Sequence, residues 1–235
     1  MNKEVLPIFL LGADGKMGRM LQALIAKDPR FTLVDVPQAG AVIIDFSHPE
    51  ATMALLDQAL SLKCPMVIGT TGFDQRAMQK LKAASEAVPI LCGSNMSEGV
   101  ALMRKLVAMA ASQLGLDADV EIIEKHHKHK VDAPSGTAIS LGEVVARARQ
   151  QDFDEAKVLS RSGETGARVP GSIGFATVRA GDIVGEHTVL FASEGEVLEI
   201  KHTSFHREHY AKGAMKAALW LKGQAPGLYG MDDVK

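Results

Sequence analysis

Ile8-Phe9-Leu10-Leu11-Gly12-Ala13-Asp14-Gly15-Lys16-Met17-Gly18 places a strand, a loop and a helix in immediate succession. Four apolar residues end at a glycine, and three glycines recur at three-residue spacing. Met17, Met20, Leu21, Leu24 and Ile25 then fall at i, i+3, i+4, i+7 and i+8, one face of a helix over residues 16–27. Glycines in such a loop let the backbone turn sharply and approach a pyrophosphate. The helix N-terminus behind it offers unpaired N–H groups and the positive end of the helix dipole. The spacing is G-x-x-G-x-x-G and Asp14 stands where a glycine is usual, so a loop that serves packing alone reads the same way. Its setting at the start of a strand–helix series favours a dinucleotide.

That series continues outward. Residues 31–36 and 41–46 are strand-like, and Pro49 opens a helix with Leu55, Leu56, Ala59 and Leu60 on its apolar side. Residues 66–68 form a short buried strand stopped by Gly69. Asp74 caps a helix to Ala87, and residues 90–92 are strand again. Alternating strands and helices with short connections predict a parallel sheet. After Asn95 the pattern changes to a helix over 100–114, a strand over 120–124 and a helix from Ser135 to Arg149. A glycine-rich loop, residues 159–172, then leads to strands at 173–179, 183–191 and 197–203, the last two joined as a hairpin at Ser193-Glu194-Gly195-Glu196. A helix over 207–220 follows, placed to return to the first domain.

The 235 residues suffice for one large or two modest domains. With 46% hydrophobic and 23% charged residues the composition is globular, which excludes disorder and fibrous repeats. No apolar run reaches the ~20 residues of a membrane span, and residues 1–11 read as a first strand rather than a signal peptide. A formal charge of −2 argues against a dedicated nucleic-acid binder. Cys64 and Cys92 form neither a disulfide framework nor a metal spacing, which fits a cytoplasmic location.

The charge is nonetheless uneven. Lys125-His126-His127-Lys128-His129-Lys130 carries six basic groups and no acid, then runs through Val131-Asp132-Ala133-Pro134 into Ser135-Gly136-Thr137 at a helix start. Repulsion within the run falls when an anion binds, and it lowers His and Lys pKa values toward proton-transfer range. Basic side chains beside a helix N-terminus describe a site for a carboxylate or phosphate. A solvated basic face, a nucleic-acid patch and a zinc site using His126, His127 and His129 are the competing readings. Absent thiolates count against zinc, and a strand splays adjacent histidines. Absent aromatics count against nucleic acid, and a solvated face leaves the Pro-Ser-Gly-Thr unexplained.

At these two motifs the chain resembles the 4-hydroxy-tetrahydrodipicolinate reductase (dihydrodipicolinate reductase) family. The resemblance is carried by Glu124-x-His126-His127-x-x-Lys130-x-Asp132-Ala133-Pro134-Ser135-Gly136-Thr137-Ala138. Further blocks are Gly69-Thr70-Thr71-Gly72-Phe73, the nine residues from Gly174 to Asp182, and Gly185-Glu186-His187. It implies an α/β protein with a Rossmann-type parallel-sheet domain, residues 1–97 and 208–235. An α+β substrate and tetramerisation domain with a mainly antiparallel sheet, residues 98–207, would complete it. It implies reduction of the substrate to tetrahydrodipicolinate with NADH or NADPH, in diaminopimelate and lysine biosynthesis, by a homotetramer with no resident metal. By position, Gly12, Ala13, Asp14, Gly15, Lys16 and Met17 hold the pyrophosphate. Gly69, Thr70 and Thr71 lie along the cofactor, and Gly93, Ser94, Asn95 and Met96 lie near the nicotinamide. His126 is the proton donor and Lys130 the second catalytic residue; His127, Gly136, Thr137 and Arg207 contact the dicarboxylate.

Two departures bear on the cofactor. Val36 runs almost directly into Ala41 where the family has a longer stretch, and no acid stands near Gln38 to read the adenosine ribose. Asp35 is the nearest acid, while Lys16 and Arg19 could meet a 2′-phosphate. The 159–172 loop, with Arg161 and Arg168, is either a lid or a surface loop without a role. Another Rossmann-type amino-acid or semialdehyde dehydrogenase is the rival enzyme, although neither cysteine has a nucleophile's setting. A non-catalytic nicotinamide-nucleotide sensor is the rival binder.

Overall fold

A computed structural model describes residues 5–235, so the first four residues of the expected N-terminal strand lie outside the described residues. The strands are β1 (Leu6–Leu11), β2 (Phe31–Leu33), β3 (Val42–Asp45), β4 (Met66–Ile68), β5 (Pro89–Cys92), β6 (Asp119–His126), β7 (Lys157–Val158), β8 (Ile173–Arg179), β9 (Gly185–Ser193), β10 (Glu196–Ser204) and β11 (Gly227–Tyr229). The helices are α1 (Lys16–Ile25), α2 (Pro49–Leu62), α3 (Gln75–Ala84), α4 (Glu98–Leu114), α5 (Gly136–Ala148), α6 (Phe153–Ala156) and α7 (Glu208–Leu221). The chain divides into two units, Met1–Glu98 with Glu208–Lys235, and Gly99–Arg207.

The first unit is built on a six-stranded sheet of order β11-β5-β4-β3-β1-β2, parallel at every pairing. Val42, Ile43 and Ile44 of β3, and Met66, Val67 and Ile68 of β4, are fully buried, the continuous apolar run that a sheet covered on both faces requires. From β1 the chain moves to β2 on one side and to β3 on the other. The crevice at the carboxyl ends of β1 and β3 is therefore the topological switch point, where α/β sheets bind ligands. Two edge elements escaped the sequence reading. β11 and the 3₁₀ turn Met231–Asp233 are three residues each, too short for a periodic signal.

The second unit carries a five-stranded sheet of order β10-β9-β6-β8-β7. The hairpin expected at residues 193–196 is present, with Glu196 opposite Ser193. The sheet is mixed, with the long antiparallel pairings of β9 to β6 and β10 as expected and parallel ones at β8 beside them. β6 pairs antiparallel with β9 but parallel with β8, because α5 and α6 intervene between β6 and β8 and carry the chain back to the same end. One face is closed by α4 and α5: Met103, Val107 and Ala111 pack with Leu141 and Val145 over Val120, Ile122, Phe175, Val189 and Phe191.

In the first unit α7 lies against α1 and over β3, β4 and β5. Gly213, on its buried face, passes so close to the Met96 carbonyl that a methyl group there would overlap it. Gly213→Ala gains about 1 kcal/mol of helix propensity but forces the helix off that carbonyl, at a cost of about 1–3 kcal/mol. The expected net outcome is a Tm lowered by several degrees in thermal denaturation; an unchanged or raised Tm would show that α7 moves aside freely.

Candidate active site

In the first unit the residues singled out from the sequence gather at one edge of the sheet. Gly12 to Met17 follow β1, Gly69 to Thr71 follow β4, and Gly93 to Met96 follow β5, all at carboxyl ends of parallel strands. Gly12 has φ +84°, and a Cβ on it would lie 2.5 Å from the carbonyl oxygen of Phe46. A side chain at Gly18 would overlap the carbonyls of Gly12 and Ala13, so α1 can sit this close to its loop only with glycine there. Gly15 precedes α1 in extended conformation with no side-chain cap, which leaves the first-turn N–H groups for a ligand. Asp14, Lys16 and Arg19 are exposed beside them, and Asp35 is exposed two residues beyond β2. These features fit a dinucleotide pyrophosphate.

Asp45, at the end of β3, is fully buried and organises this edge. Its Oδ1 accepts from the Ser47 N–H at 2.9 Å, the Ser47 hydroxyl at 2.6 Å and the Thr70 hydroxyl at 2.8 Å; its Oδ2 accepts from Thr52 at 2.5 Å. Thr70 was expected along the cofactor, but its hydroxyl is committed to Asp45, which leaves the exposed Thr71 as the side chain facing outward. Met96 is likewise buried and offers a ligand only its surroundings. Asn95 Oδ1 accepts from the Ser97 N–H at 2.9 Å, at the start of α4. Burial and the Asp45 charge push the Cys92 thiol up to about 12, so it is no nucleophile at neutral pH.

In the second unit strand alternation divides the basic run. Lys125 points to the open face of the sheet, where its ammonium lies 2.6 Å from Glu186. Val120, Ile122, Glu124 and His126 share the opposite, buried face. His127 and Lys130 occupy the loop after β6, with Lys130 2.7 Å from Asp132 and Arg207 3.4 Å from His127 Nε2. Lys128 and His129 are exposed. The run is thus four separate environments and not one patch.

Glu124 is fully buried and binds five donors. Oε2 lies 2.5 Å from His126 Nδ1 and 2.7 Å from Arg179 Nη1. Oε1 accepts from Arg179 Nη2 at 2.7 Å, the Ser135 N–H at 3.0 Å and Thr177 Oγ1 at 3.2 Å. Burial opposes its ionisation, but the hydrogen bonds from His126 and Arg179 outweigh it and bring its pKa to about 2. Behind it, His187 packs edge-on against His126 with ring centroids 5.1 Å apart, and its Nε2 lies 2.9 Å from the Ser135 hydroxyl. Burial, followed by the His126 charge, lowers the His187 pKa to about 4, so this ring stays neutral. Burial and the cations Arg207, His126, His129 and Lys130 lower the pKa of His127 as well.

The Ser135 hydroxyl also caps α5 by accepting the Ala138 N–H at 3.1 Å. A side chain added at Gly136 would meet nothing within 4 Å, so the first turn of α5 opens outward. Glu124 thus ties His126 to the residue that caps α5, just before Gly136 and Thr137, while Arg207 stands beside His127 and Lys130 beside Asp132. Thr177, Arg179 and His187 were quoted from the sequence without roles, and Glu124 only as part of a motif. The signal for Glu124 is its i, i+2 relation to His126 on a strand.

The glycine-rich loop does not bring its arginines here. Arg161 pairs bidentately with Glu121 at 3.0 and 2.8 Å. Arg168 pairs with Asp119 at 2.9 Å and with Glu121, and donates to the Val120 carbonyl at 2.8 Å. Both hold the start of β6, five residues or about 16 Å of strand away from His126. Acids at that end hold both guanidinium groups, which favours the surface loop over the lid of the two readings left open.

Comparison with known proteins agrees with this arrangement. Family models for the dihydrodipicolinate reductase N-terminus and C-terminus match residues 35–96 and 99–234; the glycine loop lies before the first of these spans. The 4-hydroxy-tetrahydrodipicolinate reductase of Thiobacillus denitrificans is 52% identical over 97% of each chain. The 259 aligned positions outnumber the 235 residues here, so that relative carries residues without a counterpart. Among solved structures, the dipicolinate-bound dihydrodipicolinate reductase of Paenisporosarcina sp. TG-14 superposes with a TM-score of 0.79 at 24% identity, covering 99% of this chain and 100% of that one. GenD2 from gentamicin A biosynthesis, in complex with NAD, shares the fold more distantly, with a TM-score of 0.55 at 10% identity over 92% and 87% of the two chains. Two family models spanning most of the sequence and a relative identical at half its positions establish that the chain belongs to the dihydrodipicolinate reductase family, the oxidoreductases that reduce 4-hydroxy-tetrahydrodipicolinate.

Proposed function

We propose that the second unit binds the substrate's two carboxylates at the α5 N-terminus and its flanking cations, and that His126 protonates the ring while NADH or NADPH, held by the first unit, supplies hydride. The observation that carries this reading is the charge arrangement around α5. Glu124 is neutralised by Arg179, so the cations Lys130 and Arg207, the His127 imidazole and the open first turn at Gly136 and Thr137 face an incoming dianion without a competing buried acid. Lys130 exchanges the half-exposed Asp132 carboxylate for that of the substrate. Charge that develops on the ring is stabilised by the same fixed cations and amides, the electrostatic contribution that is usually largest. His126 has its Nδ1 on Glu124 and therefore delivers the proton from Nε2. The dipicolinate carried by the Paenisporosarcina relative is a planar mimic of such a ring.

The second unit also leaves one sheet face uncovered. By alternation from the buried residues, Ile123, Ala176, Val178, Leu190 and Val197 line it, and Val197 is 58% exposed. Closing this face against other copies of the chain accounts for a homotetramer. Cys64 and Cys92 are free thiols, which suits a reducing cytoplasm.

Three outcomes are expected. His126→Gln and Lys130→Ala lose about 10²- to 10⁴-fold in turnover while nucleotide fluorescence quenching and Tm stay near the parent values; near-normal turnover in both would remove the assignment. The exit from β2, residues 34–41, carries one acid and no cation, whereas Lys16 and Arg19 flank the glycine loop. NADH and NADPH should accordingly bind within about tenfold of each other, or about 1.4 kcal/mol; a hundredfold gap in a titration contradicts this. In light scattering the chain should run at four times its 25.1 kDa mass, and Ile123→Lys should dissociate it.

A further inference from the structure

Glu124 makes no contact with the open side of the site. It is fully buried, and both oxygens are occupied by donors from three elements: His126 on its own strand, Thr177 and Arg179 on β8, and Ser135 at the entry to α5. It therefore cannot touch substrate or exchange a proton with it. What it does touch are the two parts of the site that have to be aligned. One oxygen holds the imidazole through Nδ1, and the other holds the backbone N–H of the residue that caps α5.

We propose that Glu124 is the positioning residue of the reaction: it sets the His126 tautomer with the proton on Nδ1, and it locks the proton donor and the anion-binding turn of α5 at a fixed separation through the two oxygens of one carboxylate. This rests on the reading of His126 as proton donor. The consequence for His126 follows from the valence of imidazole. With Nδ1–H given to a carboxylate, Nε2 is the only nitrogen that can load and release a proton. Nε2 lies over Gly185, where an added Cβ would stand 3.1 Å away, so β9 passes this edge of the ring with no side chain to crowd it.

The groups that face His126 are Glu124 on its strand, Arg179 on β8, His187 on β9 and its cross-strand partner His202 on β10, and His127 and Lys130 in the following loop. Arg179 is bound to Glu124, and His187 stays neutral. Glu124 is thus the carboxylate in direct contact with the His126 ring amid these groups. Arg179 serves the carboxylate and not the ring: its guanidinium bridges both oxygens, also donates to the Asp132 carbonyl at 2.6 Å, and so ties the loop after His126 to the same hub.

The test uses the intact enzyme. In Glu124→Gln the shape is kept and the charge is lost. Turnover should fall about 10²-fold, a share of what a general acid supplies, with NADH quenching unchanged. The loss should fall on kcat and leave KM for the substrate near the parent value, because the proton donor loses its orientation while the groups that bind the dianion remain. A purely structural role lowers Tm and leaves kcat near the parent value, and this result overturns the proposal. Should the variant fail to fold, histidine ¹⁵N spectra of the wild-type enzyme decide, with the His126 signal assigned from its loss in His126→Gln. A protonated Nδ1 from pH 6 to 9 supports the role, and a bare Nδ1 overturns it. A wild-type chain that turns over no substrate overturns the catalytic reading instead, and does so independently of either result.

Discussion

A carboxylate without access to water stays charged only if protein groups replace its hydration completely. Glu124 meets that condition with a two-pronged guanidinium, an imidazole, a hydroxyl and a backbone amide, drawn from β6, β8 and the entry to α5. Each donor is brought there by a different piece of the fold. The parallel register sets Thr177 opposite Glu124 and Arg179 opposite His126, and α5 has to begin where its capping residue can reach the same oxygen. A shift of one residue in that register would send Arg179 to the other sheet face and leave a buried charge unpaired. The carboxylate therefore makes the mixed sheet and the site interdependent: the parallel pairing that departs from an antiparallel plan is the one that supplies Arg179.

The first unit uses the same device at its own ligand edge. Asp45 is equally buried, but its four donors are three hydroxyls and one amide with no cation. The difference suits the two neighbourhoods. An arginine beside Asp45 would compete with the uncapped α1 terminus for a pyrophosphate, whereas hydroxyls fix the loops after β3 and β4 and add no charge. Near α5 the guanidinium of Arg179 is committed to both oxygens of Glu124 and balances its charge.

Much of this was legible in the residues. Met66–Ile68 and Ile173–Arg179 emerge with the bounds read from the sequence, because each is a β-rich run closed by glycine or serine punctuation. Pro49, Asp74 and Ser135 mark helix starts as their side chains lead one to expect. The family signature drew attention to the segment that holds Glu124, His126 and the Ser135 cap. The remainder was illegible for physical reasons. β7 and β11 are two and three residues long, and only a neighbouring strand makes them strands. Arg161 and Arg168 left the 159–172 loop open between a lid and a surface loop because a sequence shows charge without its partner; Asp119 and Glu121, some 40 residues earlier, claim them in space. Asp45 gave no sign, since an acid ending a strand reads as solvated until the three hydroxyls around it are seen.

The basic run shows how strand geometry converts repulsion into selectivity. Six adjacent basic residues would repel one another if they shared a face, and alternation prevents that. Lys125 is sent across the sheet to Glu186, which Lys201 also contacts at 2.9 Å, and His126 is sent inward to Glu124. Only the residues after the strand, where alternation ends, remain to act together on a ligand. Of these, Lys130 rests on a carboxylate that is 52% exposed and easily given up, while the partner of His126 is 1% exposed and cannot leave. The depth of each counter-ion thus separates a cation whose partner can be exchanged from an imidazole whose partner fixes its orientation.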